Sequence, residues 1–312
     1  MQKVPDGTVA DELSWLERAA GDAGLDIPDL VLPESRHVVL RGMRFHYLDW
    51  GTAGRPPVLF LHGGALNAHT YDLVCAALRG DHHCLSLDQR GHGDSEWSPV
   101  VDYDNATHAA DIAAFVDHLG LRDLVLVGMS LGGLNAIKYA GTHGERLRAL
   151  VIIDVGPELR APGTARIGEF TSSTSGEIDS LDEYIEHAVR FNPRRDPDRL
   201  RHSLLHNLRR TPAGKWVWKW DPRGRVKTPE QAREFQARRE LLWEDVDRIQ
   251  CPTLVVHGTD SDVFSERDAH TLVERLPRGG YAAVEDAGHT VQGDNPAGLV
   301  RELRTFLNGL AT

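Results

Sequence analysis

The sequence contains few cysteines, no long apolar run and no excess of positive charge, and each absence excludes a class of protein. Cys75, Cys84 and Cys251 are widely spaced in a chain of 312 residues, which favours reduced thiols over disulfides or a thiolate metal site. No stretch reaches the roughly 18 apolar residues that a membrane-spanning helix needs. The formal net charge of -11 argues against nucleic acid and anionic membrane surfaces as partners, because like charges repel. We therefore expect a soluble, cytoplasmic protein that binds neither.

Recognised cofactor and metal motifs are missing as well. Gly91 and Gly93 follow an apolar strand candidate, but the third glycine of a dinucleotide-binding fingerprint is absent from its required place. The sequence has no phosphate-binding P-loop, and His82 and His83 have no partners at a metal-ligand spacing. The sequence therefore predicts no organic cofactor and no metal ion.

Apolar strand candidates alternate with helical stretches along most of the chain. Continuous apolar strands separated by helices indicate a parallel sheet covered on both faces, so the predicted fold class is α/β. The predicted strands are residues 36–40, 45–49, 58–61, 84–87, 124–127, 147–153, 253–256 and 281–284, and the predicted helices lie within residues 8–30, 71–78, 106–119, 134–142, 266–276 and 296–310.

One segment, residues 157–243, interrupts this alternation. It has several prolines, a helical character without a strand pattern, and more Lys and Arg than Asp and Glu, although the whole chain is acidic. Its place between two sheet strands is where a cap over the carboxyl edge of the sheet would be inserted. We therefore expect three parts: an N-terminal helical extension (1–34), a core (35–156 and 248–312) and a helical cap (157–247).

The most informative motif is the pentapeptide Gly-Met-Ser-Leu-Gly at residues 128–132. It follows an apolar strand and precedes a helix-forming stretch, and this placement is typical of a nucleophile elbow, which lifts the hydroxyl of Ser130 above a sheet edge. A Cβ at Gly128 or Gly132 would collide with the crossing backbone. The alternative is a glycine-rich turn in which Ser130 only caps the helix.

A serine nucleophile needs a base, an acid that orients the base, and two donors for the oxyanion. His289, in a Gly-His turn after the last predicted strand, is the expected base, although it could instead cap a helix. For the acid we favour Asp262 over Asp260 in the preceding loop, with Asp154 as an outside candidate. The expected oxyanion donors are two backbone N–H groups, those of Gly64 and Leu131, while His62 is expected to be structural.

Taken together, these motifs resemble the α/β-hydrolase superfamily, in particular its lidded branch of serine esterases, lactonases and C–C hydrolases. The resemblance rests on the His-Gly-Gly at 62–64, the Asp-Gln-Arg-Gly-His-Gly-Asp-Ser at 88–95, the Ser130 elbow, and the loops of Asp262 and His289. It implies a mostly parallel eight-stranded sheet with helices on both faces and a helical cap after strand 6. In that superfamily, Asp88 and Arg90 of the second motif pin a loop beneath the site. A serine nucleophile distinguishes the chain from the epoxide hydrolases and haloalkane dehalogenases, which use aspartate.

The expected activity is hydrolysis of a small carboxylic ester through an acyl-enzyme, without a cofactor. The basic surplus of the cap favours a monoester with a free carboxylate, anchored by a cap arginine. Trp216, Trp218 and Trp220 of the cap are expected to pack in its core rather than line a pocket. Lactone or C–C bond hydrolysis by the same triad stays open, as does a ligand receptor with slow turnover.

Overall fold

The computed structural model describes residues 9–193, 195–224 and 228–310. The predicted N-terminal extension is therefore described only from Val9, and the predicted core only up to Leu310. No helix in these ranges is both long enough and apolar enough to cross a membrane. Cys75 and Cys84 are buried, Cys251 is half-buried, and all three are free thiols.

The central feature is an eight-stranded sheet in the order β1-β2-β4-β3-β5-β6-β9-β10. The pairs β1–β2 and β2–β4 are antiparallel and all others are parallel, so the predicted mostly parallel sheet is confirmed. The strands among the described residues, of which β7 and β8 lie outside this sheet, are β1 Glu34–Leu40, β2 Met43–Asp49, β3 Pro57–Leu61, β4 His83–Leu87, β5 Leu124–Met129, β6 Leu147–Ile153, β7 Leu208–Arg210, β8 Trp216–Trp218, β9 Thr253–Gly258 and β10 Gly279–Val284.

Helices cover both faces of the sheet, as predicted. The α-helices are α1 Val9–Asp22, α2 Asp72–Leu78, α3 Asn105–His118, α4 Leu131–His143, α5 Ala161–Ser173, α6 Leu181–Phe191, α7 Pro197–Asn207, α8 Pro229–Glu240, α9 Leu242–Val246, α10 Glu266–Arg275, α11 Val291–Asp294 and α12 Pro296–Gly309. One apolar core joins α3, α4, α9 and α10 to the sheet, and a second core joins α1, α2 and α12 to its other face. The central strand β5 is buried along its whole length, which explains its continuous apolar sequence.

The segment between β6 and β9 contains α5 to α9 and a small two-stranded antiparallel sheet, β7–β8. The sequence analysis found no strand pattern here, and it was wrong on this point because strands of three residues are too short to show a period. Trp216, Trp218 and Trp220 belong to an apolar cluster within this segment, as expected. Trp218 and Trp220 also line the cavity described below. These two side chains therefore both pack in the apolar cluster and form part of the cavity wall.

Candidate active site

The strand-to-helix turn at Ser130 has a backbone crossing so tight that it requires glycine on both sides of the serine. Ser130 joins β5 to α4 with φ 52° and ψ -119°, a strained conformation that non-glycine residues rarely adopt. A Cβ on Gly128 would lie 2.3 Å from the carbonyl oxygen of Gly132, and one on Gly132 would lie 2.3 Å from that of Leu61. The two flanking glycines therefore let backbones cross at a distance that no side chain would permit.

Ser130 is hydrogen-bonded to the predicted base. His289 lies in the loop between β10 and α11, and its Nε2 is 3.0 Å from the Ser130 Oγ. Its Nδ1 is 2.8 Å from Oδ2 of Asp154. Because a carboxylate can only accept, we assign the hydrogen to Nδ1, which leaves the Nε2 lone pair to accept from the serine hydroxyl. This is the tautomer that a general base needs.

The acid that contacts His289 is Asp154, whereas the sequence analysis favoured Asp262. Asp154 directly follows β6, at φ 52°, and its side chain is fully buried. Its carboxylate also accepts hydrogen bonds from His257, from the Gly258 N–H and from the Ser261 hydroxyl. Burial alone would raise the pKa of Asp154, but the hydrogen bonds from the two histidines and Ser261 outweigh it and lower that pKa. Asp154 is therefore held as a carboxylate.

Asp262 faces the opposite way, towards the segment between β6 and β9. Its two carboxylate oxygens accept from Nε and Nη2 of Arg166 on α5, at 2.8 and 2.9 Å. The physical reason lies in the loop after β9, where Ser261 turns its hydroxyl onto Asp154 and leaves the next carboxylate pointing outward. Asp260 donates its backbone N–H to Ala287 and lines the cavity.

The two residues predicted to supply the oxyanion donors line the same cavity as Ser130. Leu131 is the first residue of α4, so its N–H has no partner within the helix. Gly64 follows β3 and lines the same cavity, and a Cβ placed on it would meet open space rather than protein. A substrate carbonyl could therefore approach Gly64 closely. Their role as oxyanion donors stays a prediction.

His62 holds the loop after β3 in place, in keeping with the structural role expected of it. Its Nε2 accepts from the Gln89 N–H at 3.0 Å, so its Nδ1–H donates to the Gly63 carbonyl at 2.8 Å. Complete burial lowers the pKa of His62 to about 4, which keeps the ring neutral. Its two nitrogens are occupied by backbone groups and are not free for proton transfer.

The loop of the motif at residues 88–95 borders the cavity through Gly91 and His92. Asp88 accepts from His46 Nδ1 and from the backbone N–H groups of Ala68 and Asp94. Arg90 forms two hydrogen bonds with Asp111 and is 97% buried. These buried charged hydrogen bonds fix the loop that carries Gly91 and Gly93.

A residue of the segment between β6 and β9, not singled out from the sequence, holds the His289 loop. Arg195 donates from Nε to Oδ1 of Asp294 at 2.7 Å and from Nη2 to the Thr290 carbonyl at 3.3 Å. The other oxygen of Asp294 accepts from the Gly288 N–H at 3.0 Å. The turn that carries His289 is thus fixed from both sides. Sequence alone gave no signal for this contact, because 99 residues separate Arg195 from Asp294.

Ser130 opens into a cavity of about 910 Å³ between the sheet edge and the segment 161–246. This volume accommodates a drug-sized or smaller organic molecule. Its wall from that segment includes basic and aromatic side chains, among them Arg166, Arg190, His187, Phe170, Phe191 and Trp218. In the part of the chain that the structure describes, no group of potential metal ligands includes Ser130, His289 or Asp154.

Comparisons with known proteins agree with this geometry. A family model described as the alpha/beta hydrolase fold matches residues 56–296. Esterase Rv0045c of Mycobacterium tuberculosis is 32% identical over 311 residues, covering 96% of this chain and 97% of that protein. Its crystal structure has a TM-score of 0.76, with 97% and 100% coverage of the two chains at 31% identity. A 3-hydroxybutyrate-oligomer hydrolase of Cupriavidus necator is 28% identical over 266 residues, which is 81% of this chain and 89% of that protein.

Proposed function

Because the chain belongs to the α/β hydrolase fold family, we propose that it hydrolyses small carboxylic esters through an acyl-enzyme on Ser130. The protein is an esterase-type enzyme of that family. The triad consists of Ser130, His289 and Asp154, with the N–H groups of Gly64 and Leu131 as the oxyanion donors.

The proposed reaction has two halves. Ser130 Oγ attacks the ester carbonyl while His289 Nε2 takes its proton, and the negative charge of Asp154 stabilises the resulting imidazolium. The backbone donors stabilise the oxyanion, and the imidazolium returns the proton to the departing alcohol. Water then attacks the acyl-serine with His289 as base, which releases the carboxylic acid and restores the serine.

One observation carries this proposal: the continuous hydrogen-bond chain from Ser130 through His289 to the buried Asp154, at the wall of the cavity. The test is a panel of p-nitrophenyl esters, lactones and β-diketo acids, with Ser130→Ala as the blank. We expect ester turnover that the substitution lowers by at least ~10³-fold. An equal rate in both proteins would contradict the proposal. Faster cleavage of lactones or of β-diketo acids than of esters would assign the enzyme to lactone or C–C bond hydrolysis instead. Single turnover would favour a receptor.

The substrate class that the cavity favours is a monoester with a free carboxylate. Among the described residues of the segment 161–246, three arginines line the cavity, but Arg166 is paired with Asp262 and Arg195 with Asp294. Arg190 on α6 has no ion-pair partner among the described residues, so its guanidinium is available to an anionic substrate. The relative named for 3-hydroxybutyrate oligomers fits this class, since a hydroxy-acid oligomer carries ester bonds and a terminal carboxylate.

The anionic substrate has its own test. We expect wild-type protein to favour a dicarboxylic monoester over its methylated diester, and Arg190→Gln to lower this preference about tenfold through KM. Arg238→Gln is the matched control, because Arg238 is an exposed cap arginine outside the cavity. Equal rates for monoester and diester in the wild type would exclude a carboxylate anchor. We further propose that residues 157–247 act as the cap that encloses the substrate.

A further inference from the structure

We propose that a second site, away from Ser130, binds a divalent transition-metal ion such as Zn²⁺ through Glu12, His202 and His206. The three ligand atoms lie within 4.8 Å of one another. Glu12 belongs to α1, whereas His202 and His206 lie one turn apart on α7. Two imidazoles at i and i+4 on one helix face, with a carboxylate from another element, form a donor set that suits zinc and its neighbours rather than magnesium or calcium.

The distances between the donor atoms already approach those of a tetrahedral site. Zinc–nitrogen bonds of about 2.0–2.1 Å place tetrahedral ligands about 3.3 Å apart. His206 Nε2 lies 3.4 Å from His202 Nε2 and 3.4 Å from Glu12 Oε1. The third distance between donor atoms, from His202 Nε2 to Glu12 Oε1, is 2.7 Å, because a hydrogen bond joins these two atoms. For an ion to enter, this distance must lengthen and the imidazole hydrogen of His202 must move from Nε2 to Nδ1, so that the Nε2 lone pair can face the ion.

The surrounding groups orient both imidazoles. Trp15 of α1 stacks on His202 with ring centroids 3.2 Å apart, and His69 stacks on His206 at 3.7 Å. The rings therefore do not need to be ordered by the metal, which reduces the entropic cost of binding.

A second, independent observation points to a missing ligand. The cluster adjoins a small cavity of about 80 Å³, lined by Asp72 and Gln292 among others. Asp72 Oδ1 and Gln292 Oε1 are buried and have no hydrogen-bond partner among the described residues, and such orphaned acceptors are costly. Asp72 also lies within 4.8 Å of a ring nitrogen of His206. A carboxylate at this position can hold a metal-bound histidine from outside the ligand shell.

The site would connect three parts of the molecule. Glu12 comes from the N-terminal helix, the histidines from α7, and Asp72 from α2 beside the sheet. On its other side, α7 contributes Leu200, Ser203 and Leu204 to the wall of the catalytic cavity. A bound ion would therefore fasten one wall of that cavity to the core, and it would stabilise the folded chain by binding only the folded state.

The experiment is calorimetric titration of the metal-free full-length chain with Zn²⁺ alone, together with its thermal unfolding midpoint. We expect one saturable site and a higher midpoint in the wild type. His206→Gln should lower the affinity more than ~100-fold, because it removes a direct ligand and not an outer-shell partner. The matched control is His270→Gln, which removes an exposed histidine 3.8 Å from Glu266, also at i,i+4, and it should bind as the wild type does.

If His206→Gln fails to fold, Glu12→Gln tests the same site, because it keeps the size and hydrogen-bonding capacity of the side chain while removing its charge. Cobalt(II) adds a spectroscopic readout, since tetrahedral Co²⁺ absorbs visible light far more strongly than octahedral Co²⁺. Loss of this absorption in Glu12→Gln but not in His270→Gln would support the site. No saturable binding, or equal binding in wild type, His206→Gln and Glu12→Gln, would overturn it. Neither result depends on ester hydrolysis.

Discussion

The sheet edge and the proposed cap, residues 157–247, hold their polar side chains in different ways. Asp154 is fully buried and accepts four hydrogen bonds, so its position is fixed by the core. Arg166 and Asp262, which join the cap to the core, have 45% and 39% of their side chains exposed, and exposed ion pairs contribute little to stability. The comparison supports our proposal that the core fixes the reaction, whereas the segment 157–247 acts as a cap that selects the substrate.

The largest expected effect comes from two histidines that line the same cavity. His289 belongs to the core and His187 to α6 of the cap. We expect His289→Gln to lower kcat for an ester by at least ~10³-fold, because the base is lost. His187→Gln should change kcat less than about tenfold, since its ring does not touch Ser130 in the described structure. Steady-state kinetics measures both, with circular dichroism as the check on folding. Similar losses in the two variants would remove the distinction between core and cap.

A smaller effect is expected from two glycines. A Cβ on Gly132 would press on the backbone of Leu61 at 2.3 Å, so we expect Gly132→Ala to destabilise the fold by about 1–3 kcal/mol. Gly168, inside α5, has open space around an added Cβ, so Gly168→Ala should stabilise it by about 0.5–1 kcal/mol. The urea concentration at the unfolding midpoint should decrease in Gly132→Ala and increase in Gly168→Ala relative to wild type. A stabilising Gly132→Ala would show that the elbow is not sterically constrained.

The smallest expected effect is a pH dependence of the buried His46–Asp88 pair that the exposed Arg166–Asp262 pair between core and proposed cap lacks. Burial would lower the pKa of His46, but its hydrogen bond to Asp88 outweighs burial and raises that pKa. The stability that this adds is fully present below the unfolded pKa of about 6.5 and is lost as the pH rises through the folded value.

The free energy of unfolding should therefore differ between wild type and His46→Gln by less at about pH 8 than at about pH 6. For Asp262→Asn that difference should not change in this range. Burial would raise the pKa of Asp262, but Arg166 outweighs it and lowers that pKa, so the contribution of Asp262 is lost only in acid. An equal pH dependence of the two variants would contradict the account.

The sheet could be predicted from the sequence because its strands are short continuous apolar runs closed by glycine or polar residues. The strands β3, β5 and β9 are buried at nearly every position, and such runs are distinctive. The cap could be located but not resolved into elements. Its strands β7 and β8 have three residues each, fewer than a periodic pattern needs, and its helices have strongly polar sequences.

Within the site, local motifs predicted Ser130 and His289, whereas the acid depended on how a loop folds. Asp154 and Asp262 both follow strands of the sheet, and sequence spacing cannot tell which carboxylate turns inward. One signal favoured Asp154: it comes directly after a fully apolar strand end, where an acidic residue must be paired to be buried. The i,i+4 spacing of His202 and His206 on α7 can be read from the sequence. The third proposed metal ligand cannot, because Glu12 lies 190 residues before His202 and only the fold brings them together.

The central claim is that Asp154 and not Asp262 orients the base, and one measurement tests it directly: kcat for the same ester in Asp154→Asn and in Asp262→Asn. Each substitution replaces a carboxylate with an amide of the same shape and removes one negative charge. Only Asp154→Asn also removes the acceptor that holds His289 in the correct tautomer. We predict that Asp154→Asn lowers kcat by about 10²–10⁴-fold and that Asp262→Asn lowers it less than about tenfold. A large loss in Asp262→Asn together with a nearly unchanged Asp154→Asn would contradict the account.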